Sequence, residues 1–278
     1  MLGLVGYTAY SLLFSSGKVK HTDVLVLGHA GSGFLSPLFP FNPLPANSMA
    51  SIVKAMEEHG ADGVEVDVQL TRDGVPVLYH DLTLETLTDK RGLIDTMKAE
   101  EVVGVQFKGG FFYDLFHGEQ VVTLEAVLQR FQKYPELPHL HLDLRNQDPA
   151  RHASYAQTLM ALLRKYNYPL ERLVFISPNP DFLEAFRQVE PQAYLMIDSG
   201  GDFAQALETA KARSFWGVCT NGKSVTAAEV QTANAQGLQV VLFGGKSRSS
   251  ISKMISLEPF AIQVNNVQAM REMVGESE

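Results

Sequence analysis

A single cysteine, Cys219, stands in the 278 residues, so no internal disulfide can form. That scarcity assigns no compartment, because many exported proteins also lack disulfides. Basic blocks are missing as well. Lys and Arg number 23 against 31 Asp and Glu, a formal net charge of −8. Nucleic-acid binding needs a basic face, so no nucleic-acid partner is expected. Long apolar runs are absent: mean hydropathy is −0.02, which excludes a polytopic membrane protein. The apolar run from Leu2 to Phe14 has the length of a signal core and is too short to span a bilayer comfortably. Ser15, Ser16, Gly17, Lys18 and Lys20 follow it, but it lacks a positively charged start. Residues 1–20 therefore read either as an export or anchoring segment or as an ordinary N-terminal extension. The first reading implies an exported or membrane-anchored protein with a membrane surface as partner, and the second a cytoplasmic one. No glycine-rich dinucleotide fingerprint or phosphate loop follows the first expected strand. Ser177, Ser199 and Ser224 lack the surroundings of a nucleophile elbow, so a serine hydrolase is not expected.

The 45% of hydrophobic residues suffice for a sizeable core, in one large α/β domain or two smaller ones. Strand and helix patterns alternate regularly. Strands are expected at Val24–Leu27, Gly63–Leu70, Leu140–Leu144, Leu173–Ile176, Ala193–Ile197, Phe215–Cys219, Leu238–Phe243 and Phe260–Val264. Helices are expected at Ser48–His59, Ala150–Lys165, Asp181–Val189, Phe203–Ala212, Thr226–Ala235 and Ser249–Ser256, with a short one at the end. That rhythm implies a parallel sheet. Eight such units in about 250 residues fit a (β/α)8 TIM barrel, taken as one domain over residues 21–278. A doubly wound open sheet is the alternative, weakened by the missing fingerprint. Residues 75–124 break the rhythm with Gly109-Gly110 and the aromatics Phe111, Phe112, Tyr113 and Phe116. They read as an excursion inserted after the second strand, over the barrel's catalytic rim. Pro37, Pro40, Pro43 and Pro45 mark another irregular loop, after the first strand.

The most informative stretch runs from Gly63 to Asp81. Side chains alternate along a strand, so Glu65, Asp67 and Gln69 share one face and Val64, Val66, Val68 and Leu70 the other. Neighbouring carboxylates repel, and a hard cation between them removes the repulsion. Asp73-Gly74 signals a reversal, and the next strand delivers His80, a residue type suited to acid/base work. His139-Leu140-His141-Leu142-Asp143-Leu144-Arg145 also alternates strictly. In a parallel barrel its polar face points to a site, and Asp143 brings a third carboxylate. Arg145 is placed either to hold an anion or to pair with Asp143, and structural ion pairing is the plainer reading. Three carboxylates suit Ca²⁺ or Mg²⁺, whereas the histidine spacing does not suit zinc. His29 follows the first strand directly, and taken alone it reads as a loop histidine beside a turn.

The segment G-x-E-x-D-V-x-x-T-x-D-G-x-x-V-x-H-D, nearly intact from Gly63 to Asp81, resembles the glycerophosphodiester phosphodiesterase family. Thr83-Leu84, Thr88-Asp89-Lys90-Arg91-Gly92 and the run from Thr123 to Leu128 extend the likeness, which covers roughly Val24 to Val267. The resemblance implies a (β/α)8 barrel that uses a divalent metal and two histidines to cleave glycerophosphodiesters to glycerol 3-phosphate and an alcohol. It implies Glu65, Asp67 and Asp143 as metal ligands and His29 and His80 as the acid/base pair. The attacking group in such enzymes can be the substrate's own glycerol hydroxyl. Departures fall at Ala30, where the family has arginine, and at Ala46, where it has glutamate. Asp143-Leu144-Arg145 replaces Glu-x-Lys, and Phe243-Gly244-Gly245-Lys246 replaces Trp-Thr-Val-Asn. Arg145, Phe243 and Lys246 are the expected substrate-binding residues, with Lys246 or Arg248 a candidate for the cation lost at Ala30. The expected partner is a small-molecule or lipid-derived phosphodiester. The alternatives are a phospholipase D-like lipid phosphodiesterase, a catalytically impaired phosphodiester-binding barrel, and a barrel hydrolase of another phosphate or sugar substrate.

Overall fold

The computed structural model describes residues 24–34, 44–109, 118–145 and 148–275. The apolar run Leu2 to Phe14, three of the loop prolines (Pro37, Pro40 and Pro43) and the aromatics Phe111, Phe112, Tyr113 and Phe116 lie outside these.

Eight parallel strands close into a barrel. They are β1 (Leu25–Gly28), β2 (Gly63–Leu70), β4 (His139–Leu144), β5 (Leu173–Ser177), β6 (Tyr194–Asp198), β7 (Gly217–Asn221), β8 (Gln239–Gly244) and β9 (Ala261–Val264). Neighbours pair in chain order, and β1 pairs with both β2 and β9 to complete the ring. The expected (β/α)8 barrel is thus the one found. A short strand β3 (Pro76–Leu78) runs antiparallel to β2, after a turn in which Gly74 adopts φ +84°. Beyond β3 the expected excursion follows. Among the described residues it holds two 3₁₀ turns and the short helix α2 (Ala99–Val102), packed on their own apolar cluster around Tyr79, Leu84, Ile94 and Phe107.

The helical layer begins with α1 (Met49–Val53), which continues as a π-helical turn, Lys54–Glu58. It goes on with α3 (Leu124–Phe131), α4 (His152–Lys165), α5 (Pro180–Val189), α6 (Phe203–Ala212), α7 (Ala227–Ala235), α8 (Arg248–Ile255) and α9 (Val267–Val274). None of the described helices is long and apolar enough to cross a membrane. Several strands start one or two residues later than the apolar runs suggest, and at two of them the preceding helix is the reason. The Phe215 amide bonds to Ala210 O and the Leu238 amide to Ala233 O, so both residues finish the preceding helix before the strand begins.

Strand side chains alternate between two cores. Val64, Val66, Val68 and Phe175 point out against the helices. Leu27, Val174, Ile176, Met196, Cys219, Val241 and Ala261 fill the barrel interior. Trp216 stacks on Tyr194 with ring centroids 4.7 Å apart and meets Phe260 edge-on at 4.8 Å, which closes the end where the strands begin. The cavity holding the polar groups therefore opens at the C-terminal ends of the strands, where barrel sites are built.

Phe175 is fully buried and packs on Phe186 with ring centroids 4.8 Å apart. Phe175→Ala is expected to destabilise the fold by about 3–5 kcal/mol in urea unfolding. A loss below about 1 kcal/mol would contradict the outer-layer packing described here.

Candidate active site

The register of two strands brings the carboxylates together. β2 and β4 pair in parallel with Asp67 opposite Asp143 and Glu65 opposite His141. Their inward side chains share one face, so one oxygen of each of Glu65, Asp67 and Asp143 lies within 4.8 Å of the others. Two residues, Asn47 and Arg145, hold Asp67. Asn47 donates from Nδ2 to Asp67 Oδ2 (2.8 Å) and accepts the Asp67 amide at Oδ1 (3.0 Å). Arg145 reaches Asp67 Oδ1 from Nε (3.0 Å) and Nη2 (2.8 Å), and the same Nη2 lies 2.6 Å from Asp143 Oδ2. Glu65 Oε2 accepts the Ala30 amide at 2.8 Å. Asp143 Oδ1 is buried and has no hydrogen-bond partner.

One guanidinium therefore faces three buried carboxylates. Burial, then the charges of Asp67 and Asp143, push the Glu65 carboxyl well above its usual value. Burial and Asp67 likewise raise Asp143 to about 7, against the pull of Arg145. Such a cluster fits a hard divalent cation: its donors are all oxygens, it carries excess negative charge, and the Asp143 Oδ1 lone pairs are unclaimed. Glu65, Asp67 and Asp143 are the residues able to hold that ion.

His29 stands where β1 ends. The chain folds back at once, with the Gly33 amide donating to His29 O (2.9 Å). A Cβ on Gly28 would lie 2.0 Å from Gly31 O, so the turn demands glycine there. Ala30 takes a left-handed conformation, φ +48°, and it is the backbone amide that serves the carboxylate cluster. His29 Nδ1 lies 3.0 Å from Asn265 Oδ1. An amide oxygen only accepts, so Nδ1 carries the proton and Nε2, 3.9 Å from Glu65 Oε2, is the free base nitrogen. Burial, opposed by the Asp67 charge, pushes His29 down to about 4.

His80 follows β3. Its Nδ1 lies 2.7 Å from Asp81 Oδ1, and its side chain is 39% exposed. Gln69, on the carboxylate face of β2, donates from Nε2 to Tyr79 O (2.9 Å) and Asp81 O (2.5 Å), fixing the backbone on both sides of His80. Phe34 stands between the histidines, its ring meeting His29 edge-on at 4.9 Å and His80 at 5.4 Å. These groups wall a cavity of ≈ 190 Å³, completed by Arg145, Asp198, Phe243 and a floor of Ile176, Cys219 and Gln263.

Every expected site residue except Lys246 lines this cavity or directly braces it. Lys246 is exposed, and Arg248 pairs with Glu272 on the outer helices. The sequence reading did not single out Asn47, Asn265, Phe34, Asp198 or Gln263. The first of these directly follows Ala46, a position already marked as a departure from the family. Asn265 and Phe34 lie in loops with no periodic pattern around them.

The model of the glycerophosphoryl diester phosphodiesterase family matches residues 36–269, and the chain belongs to this family. A glycerophosphodiester phosphodiesterase of Caldanaerobacter subterraneus subsp. tengcongensis is 29% identical over 167 residues, 60% of this chain and 63% of the relative. The chain thus spans less than two thirds of the length of that curated relative. The crystal structure of a glycerophosphodiester phosphodiesterase from Parabacteroides distasonis superposes with a TM-score of 0.74 at 21% identity, covering 91% of this chain and 97% of the other. The structure of an Oleispira antarctica phosphodiesterase in complex with the product sn-glycerol-3-phosphate gives 0.77 at 22% identity, covering 90% and 96%. At these identities the structural likeness carries the fold.

Because Asn47 fixes both the amide and the carboxylate of Asp67, Asn47→Ala should weaken Mg²⁺ or Ca²⁺ binding about 10–100-fold by calorimetry. Affinity equal to wild type would show that the Asn47 clamp does not support the ion.

Proposed function

We propose that this chain is a metal-dependent phosphodiesterase that hydrolyses glycerophosphodiesters to glycerol 3-phosphate and an alcohol. The observation that carries the reading is the pair of histidines, held in opposite ways, flanking one cavity above three carboxylates. The family membership and the product held by the Oleispira relative support the substrate class. A Ca²⁺ or Mg²⁺ ion on Glu65, Asp67 and Asp143 supplies charge neutralisation of the phosphate and of the transition state when bound.

The chain's own groups divide the proton transfers. His29 is half-buried and neutral, with Nδ1–H committed to Asn265, so Nε2 takes the proton of the attacking hydroxyl. His80, its Nδ1 held 2.7 Å from Asp81 Oδ1, is the second histidine on the cavity and gives a proton to the leaving alkoxide. A new P–O bond forms to the attacking oxygen, and the P–O bond to the alcohol breaks. Where the attacking oxygen is the substrate's glycerol hydroxyl, a cyclic phosphate forms first and water opens it with the two roles exchanged. Arg145 keeps Asp67 and Asp143 in place and turns a cationic group to the cavity, in the absence of an arginine at position 30.

The test is hydrolysis of glycerophosphocholine and glycerophosphoethanolamine by the full chain with Ca²⁺, Mg²⁺ or EDTA. Metal-dependent release of glycerol 3-phosphate is expected, with His29→Ala and His80→Ala each slower by about 10²–10⁴-fold. Turnover that survives EDTA, or near-wild-type turnover in either variant, would overturn the assignment.

A further inference from the structure

A second, almost wholly apolar cavity adjoins the first. It measures ≈ 70 Å³ and is lined by Phe34, Pro45, Ala46, Leu87, Phe107, Lys108 and Gly109. Phe34 is a wall of both cavities, so one ring borders the apolar cavity and meets the two histidines. Its shape is set by the strand end that delivers His80. The Tyr79 ring stacks on Phe107 with centroids 5.8 Å apart and planes 6° apart, and its hydroxyl accepts the Leu87 amide at 3.2 Å. The Lys108 amide donates to Leu87 O at 2.7 Å, which ties the two far walls together. The Lys108 ammonium is turned away, 3.3 Å from Asp89. Ala46 is 5% exposed and contributes only a methyl group where the sequence pattern leads one to expect a carboxylate. The hydroxyls of a glycerol moiety gain little on such walls, and a hydrocarbon gains more.

We propose that this cavity is a subsite for an alkyl or acyl chain, and that the chain's preferred substrate is a phosphodiester with such a chain on one of its esterified alcohols. The inference rests on the phosphodiesterase reading and deepens it. A cavity of this size has room for two or three methylenes, at about 30 Å³ per water-sized group. Each methylene buried strengthens binding about fourfold. Affinity should therefore climb steeply over the first few carbons and then level off.

Two measurements on the full chain with Mg²⁺ test this. The first is calorimetric binding of n-alkyl phosphates from methyl to hexyl. The expected result is a rise of about 15- to 60-fold from methyl phosphate to a plateau near propyl or butyl phosphate. Ala46→Glu should flatten the series, and Leu87→Ala should move the plateau to longer chains. Affinity independent of chain length in the wild-type chain overturns the subsite, as does a dependence unchanged in both variants. The second compares kcat/KM for glycerophosphocholine and for its 1-hexanoyl ester, with the ester expected to be at least about tenfold better. Equal or lower kcat/KM for the ester also overturns the preference. Chain-dependent binding without hydrolysis of either diester would instead retain the subsite and refute the phosphodiesterase reading.

Discussion

The confinement of three carboxylates to the mouth of a barrel is the constraint on which the site depends. It follows from a register. β2 and β4 are neighbours in parallel, Asp67 stands opposite Asp143, and Glu65 lies two residues earlier on the same face. Three negative groups in a space 4.8 Å across, largely out of water, are unstable unless cations or donors surround them. The chain provides one guanidinium, one side-chain amide and one backbone amide, and leaves one buried oxygen without a partner. The remaining imbalance is the physical reason to assign a divalent ion here.

The same need for support orders the loops around the cluster. Asn47 reaches Asp67 from the loop before α1, with φ +63°, a left-handed conformation that asparagine tolerates better than most residues. Ala30 turns its amide toward Glu65 by adopting the same region. The two loops that carry these residues also carry the walls of the cavity. Phe34 separates His29 from His80, and Ala46 opens the space behind it. Side-chain polarity is low at both alanines, yet the Ala30 amide serves the carboxylate cluster.

Much of this was legible in the sequence. Period-two alternation placed Glu65 and Asp67 on one face, and the βα rhythm gave the barrel, including the interruption after β2. The contact between Asp67 and Asp143 was not legible from spacing, because register is set by the closed ring of strands and not by either segment alone. Resemblance had suggested it before geometry could. Asn265 escaped notice because one polar residue after an apolar strand carries no pattern, although it fixes the proton on His29. Lys246 illustrates the converse. A cation near the end of β8 looked available to the site, but Gly244 and Gly245 take φ +123° and +70°, and Ser247 caps α8, so the lysine ends up exposed. Arg145 proved to brace two carboxylates at once, where alternation alone had offered only its nearest partner.

The central claim is that the carboxylates of β2 and β4 hold one divalent cation between them. Titration of the full chain with Mg²⁺ and with Ca²⁺ in a calorimeter, beside Glu65→Gln, tests it most directly. The account predicts one ion per chain for the wild-type protein and loss of that binding in the variant. An ion bound equally well by the variant, or no ion bound by the wild-type chain, would contradict it.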